Sequence, residues 1–377
     1  MSCSDYFWVA KRTIVVGLWF CPRTLSVLIF KASFPIADQP GTHLMKKNIA
    51  IIGAGMAGLT LANRLNEHAN VTVFEKARGV GGRMATRHAD PFDFDHGTQF
   101  MTARSKAFRA FLAPHIATGL IQDWTGKAVT FDPERKQTDR LWFEPHYVAC
   151  PGMSSLCKTM AENIQVNLNC EVAPLGEKTA TGWQLLDMKG GSLGDFDLVI
   201  STAPPVQTVR LFDQFLPPAS KLRDSKMLAC FTMMFGLKNK WDKSWTAAKV
   251  NNSPIEWIAI SSMKPGRNHE LTSIVVNTSN AWAEQHVDDD LQEVERFLRQ
   301  QLSLVLPVDL DTPDYFSLHR WRYALLDKAH DDQERDPPYH DRALGLASSG
   351  DWGSRSRIED VWQQANALAD QVVAGLL

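Results

Sequence analysis

Three glycines and one acid carry the plainest chemistry in this chain. The segment Ile49-Ala50-Ile51-Ile52-Gly53-Ala54-Gly55-Met56-Ala57-Gly58 sets a GxGxxG turn between a short apolar run and a stretch with helical spacing. In such a turn the first glycine permits the tight bend, the second lets a pyrophosphate approach the backbone, and the third lets the helix pack on the strand. The pyrophosphate rests on the unpaired N–H groups of the helix start, so Gly53, Gly55, Met56, Ala57 and Gly58 are candidate cofactor contacts. Glu75 closes the next apolar run about 20 residues further on, where a carboxylate accepts hydrogen bonds from the ribose of an adenine dinucleotide. Lys76 follows it. The motif specifies a dinucleotide and does not by itself separate NAD from FAD.

The continuation makes that separation by resemblance. Glu75-Lys76-Ala77-Arg78-Gly79-Val80-Gly81-Gly82-Arg83 resembles the second glycine segment of the FAD-binding amine oxidase superfamily, and Asp95-His96-Gly97-Thr98-Gln99-Phe100 resembles its next element. Near the other end, Ala347-Ser348-Ser349-Gly350-Asp351-Trp352 is similar to the superfamily's late Gly-Asp/Glu motif. The resemblance implies that Gly82 and Arg83 help hold the pyrophosphate, that Gln99 lies in a loop near the isoalloxazine, and that Asp351 binds the ribityl chain. It also implies that a helix starting near Ile358 aims its N-terminal dipole at the flavin N1/C2 carbonyl, where negative charge grows on reduction. Val172 touches adenine by the same resemblance, and a core valine reads identically. Within the superfamily, the compact length, Pro151-Gly152-Met153 and Leu318-His319-Arg320-Trp321-Arg322-Tyr323 are most similar to the renalase-like branch. That branch implies an oxidase of dihydronicotinamide isomers, with hydride passing to flavin N5, molecular oxygen as acceptor and peroxide released. Two departures stand out. Gln364 and Ala365 occupy the place of a usual Ser-Gly pair, and no cysteine follows Cys230, so a thioether to the flavin has no candidate and non-covalent FAD is expected. There is no second GxGxxG of the kind a separate NADPH domain would carry.

Hydride transfer to a flavin needs no obligatory acid or base, because the cofactor carries the chemistry and the protein supplies position. Substrate-pocket candidates are therefore shape-giving residues: Gln99, Phe100, His319, Trp321 and Trp352. In the run 315–323, a period of two puts Tyr315, Ser317, His319, Trp321 and Tyr323 on one face and Arg320 and Arg322 on the other. That face either stacks on a planar substrate or is half-buried core. His96 either polarises a substrate or caps its turn. Two other function classes share the motifs, an amine oxidase proper and a non-oxidase FAD isomerase or desaturase.

The elements that must position these residues follow the same patterns. Residues 48–53, 56–67 and 71–74 read as a β-α-β unit. Strands are expected over 140–143, 147–150, 165–168 and 183–188, with a helix over 153–163. Residues 197–202 read as a buried strand returning to a parallel sheet, stopped by Ala203-Pro204-Pro205. Strands at 228–237, 255–261, 272–278 and 315–323 suggest an antiparallel sheet, with an amphipathic stretch over 288–302, a short strand over 343–348 and a last helix over 358–376. The fold class implied is α/β, a discontinuous Rossmann-type FAD-binding domain with a second, antiparallel-sheet substrate domain. The boundaries expected are 45–104, 151–212 and 325–377 for the first and 105–150 and 213–324 for the second.

Composition narrows the partners. With 40 Lys and Arg against 42 Asp and Glu, the formal net charge of -2 gives no general attraction to nucleic acid or anionic membrane; a small-molecule substrate and molecular oxygen as partners are what the resemblance implies. Six cysteines without a CxxC pair suggest free thiols in a reducing, cytoplasmic setting and no metal site. In residues 1–44, the apolar stretches 14–20 and 25–30 are split by Pro22-Arg23, and neither reaches the roughly 20 residues of a membrane span. They are expected to form an extension outside the fold, with Met45 opening the folded part.

Overall fold

The computed structural model describes residues 46–306, 308–327, 337–353 and 356–376, so the expected extension over 1–44 lies outside the described residues. The first apolar run becomes β1 (Asn48–Ile52), the glycine turn leads into α1 (Met56–Leu65), and the chain returns as β2 (Asn70–Phe74), parallel to β1. These strands sit inside a six-stranded sheet whose order is Tyr339–Asp341, Leu346–Ser348, Leu198–Ser201, β1, β2 and Gln165–Asn167. All its pairings are parallel except the antiparallel edge strand Tyr339–Asp341. The strand after β1 joins it on one side and Leu198–Ser201 lies on the other, which opens a crevice at the carboxyl end of β1. The last helix, Ile358–Leu376, packs on α1.

A seven-stranded sheet follows the order Tyr315–Leu326, Met227–Leu237, Thr272–Thr278, Ile255–Ile260, Ala247–Val250, Ala128–Phe131 and Gln137–Arg140. It is antiparallel apart from the parallel pairing of Ala247–Val250 with Ala128–Phe131. The fold class is therefore the expected one, a Rossmann-type sheet drawn from separated segments beside a mainly antiparallel sheet. One face of the second sheet, with Phe231, Met233, Phe235, Ile258 and Val276, is buried under the helix Leu291–Ser303 through Val294, Leu298 and Leu302. Its other face turns toward the first sheet's side of the molecule, where Ala128, Ala247 and Ala259 join the core around α1 and Met153.

Several elements differ from expectation for local reasons. The strand expected over 140–143 is instead Gln137–Arg140, and Leu141 and Phe143 are exposed. The amphipathic helix starts at Leu291 because the Asp290 carboxylate accepts from Gln292 N and Glu293 N. The helix Pro205–Phe212 begins where only a strand stop was expected, since proline at the first helical position is pre-set for a helix. The helix Lys106–Ala117, capped by Ser105, is a further element with no counterpart in the expected pattern. No helix among the described residues is long and apolar enough to cross a membrane.

Candidate active site

The glycine turn is shaped by two close approaches. Gly53 has a φ of +104°, a region that L side chains rarely adopt, and its N–H donates to Phe74 O at 2.8 Å. A Cβ on Gly58 would lie 1.9 Å from Gly53 O, so only glycine lets α1 seat this close to the strand. Helix α1 starts with no side-chain cap and no acid in its first turn. Its first N–H groups, from Met56, Ala57 and Gly58, have no partner within the helix and could hold a phosphate at the crevice mouth. A Cβ on Gly82 would come 3.6 Å from Gly55 Cα, so the two glycine segments face each other.

Glu75 is buried at the end of β2, and both its oxygens are engaged. Oε2 accepts from Ala54 N and Oε1 from Ala77 N, each at 2.8 Å. The acid thus ties the first glycine turn to the start of the second and keeps further acceptor capacity on each oxygen. Cys170 N donates to Glu75 O at 2.9 Å, which brings Val172, two residues on, to the same edge, buried beside Phe74. Lys76 points outward, its Nζ donating to Gln207 Oε1 at 3.2 Å.

Arg83 and Asp351, far apart in sequence, form an ion pair, with Nη1 to Oδ2 at 2.5 Å. The same nitrogen donates to Ala324 O at 3.1 Å, and Ser356 Oγ donates to Asp351 Oδ2 at 3.1 Å. Burial opposes both charges, yet the pairing wins: Arg83 is raised and Asp351 lowered from their ordinary values. The last helix opens at Ile358 as expected. Its first-turn Glu359 accepts from Arg104 N and Ser105 N at 2.7 and 2.6 Å, so that acid serves the neighbouring helix start. Gln364 is buried and donates to Gly353 O at 2.9 Å.

At the second sheet, the expected face of the strand Tyr315–Leu326 is assembled against the segment after Asp95. Trp321 stacks on His96 with ring centroids 5.2 Å apart, His319 meets the same ring edge-on, and Trp321 Nε1 donates to His96 O at 3.0 Å. Burial, helped by His319 and Arg87, pushes the His96 imidazole down to about 4, so it is neutral at ordinary pH. Phe100 belongs to a second aromatic group with Trp124, Trp142, His146 and Trp257. Trp352 joins neither group. It is buried with Phe74, Val172 and Leu346 in the core of the dinucleotide side.

Gln99 is spoken for by the protein itself. Its Nε2 donates to Asp95 O and Gly97 O, and its Oε1 accepts from Lys264 Nζ at 3.3 Å. Lys264 is fully buried and also pairs with Asp95 Oδ2 at 3.1 Å, as does Arg267 at 2.8 Å. Asp95 Oδ1 accepts from Thr86 Oγ1 and Met153 N. Burial works against the Asp95 charge, but Lys264 and Arg267 hold its carboxyl far below the ordinary carboxylate range. Burial lowers the Lys264 ammonium against the pull of Asp95. This cluster fixes the loop 95–100, and sequence reasoning missed its two cations, which sit in a Lys264-Pro265-Gly266-Arg267 turn that reads as solvated. No group of residues suited to hold a metal ion occurs among the described residues.

Comparison with known proteins places this arrangement among relatives. The model of an NAD(P)-binding Rossmann-like domain matches residues 51–114, and that of flavin containing amine oxidoreductase matches residues 131–373, well over half of the chain. Renalase of Mus musculus is 24% identical over 334 residues, covering 82% of this chain and 94% of renalase. A 4,4'-diapophytoene desaturase of Staphylococcus aureus is 50% identical, but over 50 residues, 13% of this chain and 10% of the desaturase. Among solved structures, cyclohexylamine oxidase from Brevibacterium oxydans IH-35A aligns with a TM-score of 0.63 at 14% identity, covering 87% of this chain and 99% of the other. Wild-type putrescine oxidase bound to putrescine aligns with a TM-score of 0.64 at 13% identity, covering 88% and 99%. At such identities the structural likeness speaks for the fold.

Proposed function

The chain belongs to the flavin containing amine oxidoreductase family and is an FAD-dependent oxidase similar to renalase, and from that premise we propose that its substrates are dihydronicotinamide isomers. Bound FAD supplies a hydride acceptor at N5 and a route for the electrons to molecular oxygen, released as peroxide. The chain's own residues bind, orient and exclude water. Gly53, Gly55, Met56, Ala57, Gly58, Gly82 and Arg83 would hold the pyrophosphate, Glu75 and Val172 the adenosine end, and Asp351 the ribityl chain. Support for this fit comes from Ser348 Oγ, Ser349 Oγ and Trp352 Nε1, which are buried at the carboxyl end of the first sheet with no hydrogen-bond partner. Lys76, tied to Gln207, has a lesser role at the rim. The FAD is held without a covalent bond, and denaturation should release it intact.

The observation that carries the substrate reading is the stacked group of Trp321, His319 and His96. Flat ring faces favour a flat, neutral ring, whereas an alkylammonium would find Asp95, among the described residues, already held by its own cations. Stacking would orient the substrate ring, and bound FAD would supply the hydride acceptor that such orientation serves. Trp321→Ala should therefore slow anaerobic flavin bleaching by a dihydronicotinamide reduced away from C4 at least tenfold, while shifting FAD affinity far less. Equal losses in bleaching rate and FAD affinity would make Trp321 a cofactor residue and remove the support it lends.

A further inference from the structure

The inner face of the seven-stranded sheet is organised in ranks that cross the strands. One rank runs through Ser317, Met234, Val275, Ala259, Ala247 and Ala128, each in register with the next. From Met234 onward it is buried and apolar. The adjacent rank, two residues along every strand, runs through His319, Thr232, Asn277, Trp257, Lys249 and Thr130. It is polar, and all but Thr232 are partly exposed. The loop after Asp95 reaches both ends of its aromatic span, His96 against His319 and Phe100 against Trp257. That loop therefore runs along this second rank, most of whose side chains keep the partial exposure that the first rank lacks from Met234 onward.

Its centre carries an unmet hydrogen-bonding demand. Asn277 Nδ2 donates to Thr232 Oγ1 at 2.9 Å, which fixes the amide, while Asn277 Oδ1 is buried with no partner. On the neighbouring strand, Trp257 Nε1 is likewise a buried donor with no partner. Lys249 at the far end is paired with Glu256 and adds no free charge. An orphaned acceptor next to an orphaned donor is the complement of a primary carboxamide, whose N–H donates to one and whose C=O accepts from the other.

We propose that Asn277, oriented by Thr232 and flanked by Trp257, reads the ring carboxamide of the substrate, a specificity position that rests on the dihydronicotinamide reading above. The aromatic groups at either side stack on the ring, and the amide sets its rotation and hence which ring carbon meets the flavin.

The test compares two substrates on the FAD-loaded enzyme, a dihydronicotinamide and its 3-acetyl analogue, which keeps the carbonyl but lacks the N–H donor. Asn277→Leu should raise KM for the carboxamide about tenfold, the size of one buried hydrogen bond. It should leave KM for the acetyl analogue, the FAD content and the visible flavin spectrum unchanged. Thr232→Val, which frees the amide without adding bulk, should give a smaller change of about threefold in the same direction, and it carries the comparison where Asn277→Leu does not take up FAD. Unchanged carboxamide KM, or equal losses for both substrates, overturns the assignment while the substrate reading stands. A wild-type flavin that no dihydronicotinamide bleaches overturns both.

Discussion

Glu75 does two things at once, and its substitution separates them. Its carboxylate holds Ala54 N and Ala77 N and has acceptor capacity left for a ribose. Glu75→Ala should weaken FAD binding by roughly 1.5 to 3 kcal/mol, tenfold to over a hundredfold, and Glu75→Gln, which keeps an acceptor, by less. Titrating apoprotein with FAD checks this, and an unchanged dissociation constant for Glu75→Ala would remove the acid from the site. His96 supplies a pH test. An unfolded histidine titrates near 6.5 and the folded His96 near 4, so between those values the unfolded chain binds the extra proton and stability falls as pH falls. Between about pH 7 and 5 that amounts to roughly 2 kcal/mol, and His319, lowered by burial and by Arg87, adds to the slope. His96→Phe should flatten the pH dependence of the melting temperature; an unaltered slope would contradict this. At this scale the glycines and Glu75 were legible because their spacing is itself the chemistry. Thr232 and Asn277 were not, since in sequence they are polar interruptions of apolar strands, and only cross-strand register unites them.

Among the elements, α1 is the one the dinucleotide side depends on. Gly58→Ala would push a Cβ to 1.9 Å from Gly53 O, and neither backbone can move without disturbing the turn. The expected cost is about 1 to 3 kcal/mol of stability, with reduced FAD retention on gel filtration; a variant that stays yellow and melts like wild type would show that the helix can shift freely. The β1-α1-β2 unit was readable because apolar period, glycine turn and acid agree. The helix Pro205–Phe212 was not: Pro204-Pro205 ends one element and starts another, and the strand-stop signal hides the helix-start signal. The strand Gln137–Arg140 is exposed at every position. With no buried face it has no alternation to read, so the expectation slid onto the apolar residues 141–143 beside it.

On the scale of the whole molecule, the buried cluster around Asp95 joins three separated stretches, the hairpin at Phe92–Asp95, the helix start at Met153 and the Lys264–Arg267 turn. Asp95→Asn would leave two buried cations short of their counter-charge, a loss of about 3 to 5 kcal/mol, readable as a large drop in melting temperature. A melting temperature near that of wild type would mean that solvent reaches the cluster. Nothing in a linear sequence announces that Lys264 and Arg267 meet an acid far upstream, whereas the alternation of strand and helix did announce a Rossmann-type sheet with a second sheet beside it. The two sheets matter because between them a flat substrate would meet FAD. The most direct measurement is anaerobic flavin bleaching against dihydronicotinamides reduced at different ring positions, ordinary NADH and primary amines, followed by admission of air and a peroxide assay. Rapid bleaching by isomers reduced away from C4, with little from NADH or amines and with peroxide formed in air, is the result predicted. Rapid bleaching by a primary amine and by no dihydronicotinamide would contradict it.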